Sequence, residues 1–161
     1  MANPSDIFTK LRLTPGQWRA VAERRFGDAS YLIDSGNAER ATGGIYMAGF
    51  VIECLLKALL LERHPNLAKP VDPAKLSESD RSVHSLLYSH ELDDMLGFLP
   101  EIEKKLGGVK TKSGDSAWRT FSTICEEWAV YARYSPRIAK LDRARQFIET
   151  IEEVKKWLKE L

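Results

Sequence analysis

The run from Ile45 to Leu61 is apolar at almost every position, yet it holds one acid and one base, Glu53 and Lys57, four residues apart. A helix that is apolar all round is buried all round. A carboxylate in such a helix is costly unless it is paired or hydrogen-bonded. The chain is therefore expected to keep a polar centre inside a helical core, and function is to be sought there. The run is short for a bilayer span and carries two charges, so it reads as a core helix and no membrane is expected as a partner. Glu53 and Lys57 stand in the favourable order for an i, i+4 ion pair. Two readings stay open: a local pair at the margin of the core, or a Glu53 that faces an Arg or His of another helix or chain. Tyr46, Gly49, Glu53 and Lys57 share one face.

A chain of 161 residues suits one domain with a real core. The net charge of +1 excludes a uniform basic coat for nucleic acid but leaves room for a local patch. Cys54 and Cys125 lie in apolar segments without metal-ligand spacing, which points to two reduced core thiols and to no structural zinc. The segment from Met1 to Leu13 carries Asp6, Lys10 and Arg12, so it does not read as a signal peptide. Residues 1–13 are expected to be a flexible segment, residues 14–161 a single helical domain, and the compartment cytoplasmic.

Thr14-Pro15 is a helix start, a hydroxyl cap followed by proline at the first helical position. The first helix should run from Pro15 to Asp34, with Trp18, Val21, Ala22, Ala29, Leu32 and Ile33 inward and a break at Ser35-Gly36-Asn37. The second should run from Ala38 to Arg63, inward at Ala41, Ile45, Ala48, Ile52, Leu55 and Leu59. Gly43, Gly44 and Gly49 inside it mark close approach of another backbone. Residues 67–82, rich in Pro, Ser and Asp, read as a long loop. A short third helix should span His90 to Leu99, capped by Ser89 or His90, with a further helical turn at 100–106. The fourth long helix should run from Ser116 to Tyr134, stopped by Ser135-Pro136. The last should cover 141–161. No strand alternation survives, so the fold class is all-α: an up-and-down bundle of four long helices plus one or two short ones.

Three histidines are present. His64 is expected at a helix end facing solvent, and His84 exposed in a loop. His90 opens a helix beside Glu91 and Asp93, which suits a cap or a structural role. A metal site from His84 and His90 matches no defensible spacing, and no metal or cofactor is expected. Arg133-Tyr134-Ser135-Pro136-Arg137 sits at a helix C-terminus, where the helix dipole alone favours arginine. Two arginines and a tyrosine around a proline-fixed turn also suit phosphate binding and base stacking. Lys104, Lys105, Lys110, Lys112, Lys140, Arg143 and Arg145 make this the most basic part of the chain. The chain carries no Walker-type loop, no G-x-S-x-G and no H-E-x-x-H.

Tyr46-x-x-Gly49-x-x-x-Glu53-Cys54-x-x-Lys57-Ala58-Leu59 resembles the second helix of HEPN domains. His90-Glu91-Leu92 resembles the His-Asp-Leu motif that follows there, and Arg133-Tyr134-Ser135-Pro136 the Arg-Tyr-Pro segment before the last helix. The resemblance implies a helical bundle, most often a homodimer, that binds RNA or a nucleotide or docks a nucleotidyltransferase or antitoxin partner, as in toxin–antitoxin systems. Ligand-binding candidates are then Arg133, Tyr134, Arg137 and Lys57. The nuclease members carry an Arg followed after four to six residues by a His, and here no histidine follows Arg133 or Arg137. The first expectation is a non-catalytic binding module. The second is a divergent metal-independent ribonuclease, with His90, Arg133 and Glu53 as catalytic candidates and His90 meeting Arg133 across the bundle. The third is an interaction scaffold in which the glycines of the second helix form a dimer seam.

Overall fold

A computed structural model describes residues 12–128 and 134–161. Among them, seven α-helices form and no strand does. The element α1 (Pro15–Asp34) starts at a full capping box: the Thr14 hydroxyl accepts from the Gln17 amide at 3.2 Å, and the Gln17 side chain accepts from the Thr14 amide at 2.9 Å. Gly36, at φ +70°, turns the chain, and Asn37 caps α2 (Ala38–Arg63) by accepting from the Arg40 amide. The two helices form a hairpin. Arg19 near the start of α1 donates to both carboxylate oxygens of Glu62 near the end of α2, at 3.0 and 2.9 Å.

The helix α2 is the axis of the bundle. α1 and α7 (Leu141–Lys159) cover it on one side, and α4 (Leu92–Gly97) on another. Every residue from Val51 to Leu61 is consequently buried, Glu53 and Lys57 included. By length and composition α2 could cross a membrane, and 78% of its most apolar window is buried inside this bundle. α6 (Ala117–Glu127) packs on α4 and on α5 (Pro100–Leu106). Glu23 of α1 receives Lys155 at 2.8 Å and also Lys159, and Lys155 lies 3.9 Å from the centre of the Phe26 ring, which ties α1 to α7.

The all-α bundle is as expected; several boundaries differ. Residues 67–82 are not one loop: two short 3₁₀ turns, Pro65–Ala68 and Pro73–Lys75, lead into α3 (Glu78–Leu86). The Ser77 hydroxyl caps α3 through the Asp80 amide, and Val83 and Leu86 bury its inner face. α4 starts at Leu92 with Glu91 at its cap, so neither Ser89 nor His90 caps it. α6 ends at Glu127, because Trp128 is extended at ψ 130° and turns its indole into the core. The rest of the expected fourth helix, 129–133, and the N-terminal residues 1–11 of the expected flexible segment lie outside the described residues. Of the three glycines, only Gly44 meets another helix's backbone, at Ala29 of α1. Gly49 lies under the Trp128 ring, and Gly43 faces open space.

Candidate functional site

The polar centre is a closed network. Glu53, 3% exposed, engages both carboxylate oxygens. Oε1 accepts from Lys57 Nζ at 2.7 Å, and Oε2 lies 2.9 Å from His90 Nδ1. The helical register of α2 supplies the first contact, since residues four apart stack on one face. The turn between α3 and α4 supplies the second. That turn is held by its own bonds: the Ser89 amide and hydroxyl both donate to the Leu86 carbonyl, at 3.0 and 3.1 Å. It thereby presents the Ser89 carbonyl to Lys57 Nζ at 2.9 Å and His90 to Glu53. Lys57 also lies over the Trp18 ring of α1, 5.2 Å from its centre. A buried ion pair repays its desolvation only when the remaining donors and lone pairs are satisfied, as they are here.

The His90 side chain is 44% exposed, so it is where this buried network reaches solvent. An ionised Glu53 can only accept, so Nδ1 carries the proton toward it. Nε2 is then the nitrogen left to accept a proton or, in the imidazolium, to donate to an anion. Carboxylate-oriented imidazole is the arrangement that general acid–base chemistry uses.

An aromatic wall continues from His90. Phe50 meets the imidazole edge-on at 5.9 Å, and Tyr46 and Trp128 pack on Phe50 at 5.1 and 5.2 Å. The Trp128 indole stacks on Tyr46 and donates to the Tyr46 carbonyl at 3.3 Å. Behind the wall lies a hollow of about 250 Å³ whose lining includes Tyr46, Trp128, Ser135 and Arg137. The third motif thus comes to the wall through Ser135, with Arg137 just after it. Tyr134 is 71% exposed. Arg133 lies outside the described residues.

Several expected roles change. Lys57 is 3% exposed with its ammonium committed to Glu53 and the Ser89 carbonyl, so it braces the network instead of meeting a ligand. Glu53 is likewise sealed from solvent and acts through His90. His84 is not in an exposed loop: it belongs to α3, its Nε2 is buried and its ring lies 5.2 Å from Tyr88. His64 does end α2 but pairs with Asp80 at 2.6 Å instead of facing solvent. The hydrogen bond from His64 holds the Asp80 carboxyl below its ordinary value. The expected glycine seam is occupied from within: α1 covers Gly44 and Trp128 covers Gly49. The two cysteines are buried free thiols, and burial, with Glu53 adjacent, pushes Cys54 up to about 12.

The sequence reading missed Trp18, Phe50, Trp128 and the Ser89 carbonyl as parts of the site. Phe50 had a local signal, one helical turn before Glu53. The other three join only through the fold. Compared with family models, with curated proteins and with solved structures, the chain finds no match.

Proposed function

We propose that this chain is a HEPN-like module that binds RNA or a nucleotide phosphate at His90. One observation carries the reading: an exposed imidazole whose Nδ1 is held 2.9 Å from a buried, lysine-braced carboxylate. Such support costs the fold desolvation of two charges, a cost that packing alone would avoid with apolar residues. The order of motifs favours the same reading, since Glu53 of the first and His90 of the second meet in one network. Arg137 extends the surface at the hollow beside Tyr46 and Trp128, and Tyr134 nearby in the chain is exposed. On this reading the module works as a homodimer, or docks a nucleotidyltransferase or antitoxin partner.

The test is fluorescence anisotropy with a labelled single-stranded RNA at fixed low salt. His90→Ala should weaken binding by about tenfold or more, the scale of one charge-assisted hydrogen bond to phosphate. Binding unchanged in His90→Ala sinks the proposal.

The same geometry favours a second reading, a divergent ribonuclease in which His90 moves the proton of the attacking hydroxyl. Incubation of the RNA with protein in chelator, read on a denaturing gel, separates the two. Cleavage that disappears in both His90→Ala and Glu53→Gln makes His90 catalytic. Intact RNA with tight binding leaves the module a binder.

A further inference from the structure

A second concave surface lies elsewhere, between α6 and α7. α6 is held by α4 and α5, α7 by α2 and α1. The two helices are thus drawn to different partners, and a groove of about 840 Å³ opens between them, closed at one end by residues 110–116. This is the size range of small-molecule sites. Ile45, Ile124 and Phe147 supply its apolar surface, and Thr120, Thr123, Gln146 and Thr150 line it with donors and acceptors.

The charge in the groove is unbalanced in a particular way. Its two acids are engaged by the chain itself: Asp115 accepts from the Ser113 hydroxyl at 3.0 Å and Glu153 from the Lys112 amide at 3.0 Å. Its two guanidinium groups, Arg119 from α6 and Arg143 from α7, have no hydrogen-bond or ion-pair partner among the described residues. Lys110 adds a third cation at the loop end. Arg119, Arg143 and Lys110 against Asp115 and Glu153 leave the lining with an excess of one positive charge, and both guanidinium groups keep their donors for a bound anion. A guanidinium fork matches phosphate oxygens, and a half-buried aromatic ring such as Phe147 matches a base.

We propose that this groove binds a nucleoside monophosphate, with Arg119 and Arg143 on the phosphate and Phe147 against the base. It shares no residue with the Glu53–Lys57–His90 network, so it stands or falls independently of that site.

The experiment is calorimetric titration of the whole chain with the four common nucleoside 5′-monophosphates, with adenosine and with inorganic phosphate. At least one monophosphate should saturate, more tightly than phosphate or adenosine. Arg119→Ala with Arg143→Ala should weaken it by about tenfold or more, as loss of charge-assisted bonds requires. Phe147→Ala should weaken the monophosphate and leave phosphate unchanged. The titrations are repeated in a His90→Ala background, where the groove should still saturate; saturation lost there assigns the monophosphate to His90 and overturns the groove. Arg119 and Arg143 are exposed, so the double variant should melt like the parent. Arg119→Lys with Arg143→Lys, which keeps the charge and loses the fork, should bind at an intermediate level. No saturation at millimolar monophosphate, full affinity in the double alanine variant, or equal affinity for phosphate and monophosphate each overturns the proposal. So does an RNA oligomer that needs both arginines but that no monophosphate displaces.

Discussion

Glu53 and Lys57 illustrate why a buried pair is hard to remove from one side only. Each is 3% exposed, so deleting one leaves the other charged and without its counter-ion. Glu53→Leu should cost about 3–5 kcal/mol in urea denaturation, the usual penalty for breaking a buried pair. Adding Lys57→Met should recover part of that loss, since no stranded ammonium remains. A double variant no more stable than Glu53→Leu alone would show that the pair is not the source of the cost. Part of this was legible beforehand: an acid in an apolar helix with a base four residues on must be paired. That His90 takes the second carboxylate oxygen was not legible, because it depends on how the turn after α3 docks on α2.

At the level of helices, α2 carries the sharpest contrast. A Cβ on Gly49 would stand 1.9 Å from the Trp128 indole nitrogen, whereas one on Gly43 would meet nothing within 4 Å. Gly49→Ala should therefore destabilise by about 1–3 kcal/mol and shift the tryptophan fluorescence, as overpacking does. Gly43→Ala should stabilise by about 0.5–1 kcal/mol, the ordinary gain of alanine over glycine in a helix. Equal effects at both sites would remove the packing account of Trp128. The α1–α7 contact makes a separate prediction. Hydrogen bonds from Lys155 and then Lys159 hold the Glu23 carboxyl below its ordinary 4.5. A carboxylate with a lowered folded-state value stabilises above 4.5, and that contribution fades as pH falls through the folded value. The stability gap between the parent and Glu23→Gln should thus be constant near neutrality and close on acidification. With a side chain 43% exposed, the gap should be no more than about 1 kcal/mol. A gap that widens in acid contradicts the pairing. Helix boundaries were less legible than helices. Ser77 and Asp80 carried a capping signal for α3 within a stretch whose Pro and Ser content reads as loop. α6 stops early because docking of Trp128 against Tyr46 and Phe50 outweighs its helical spacing.

For the whole molecule, the HEPN-like reading predicts a dimer, so light scattering after chromatography should give twice the chain mass. A monomer at micromolar concentration would set aside the dimer and leave docking to a nucleotidyltransferase or antitoxin partner as the alternative. The all-α class, the central apolar helix and its paired acid follow from the sequence alone, since hydrophobic period and the cost of burying charge act locally along the chain. Only the tertiary structure decided which groups meet that acid, that Lys57 is enclosed while His90 reaches solvent, and that two arginines share a groove between α6 and α7. Those outcomes depend on which helix packs against which, and contacts between residues distant in the chain leave no period in the sequence to read.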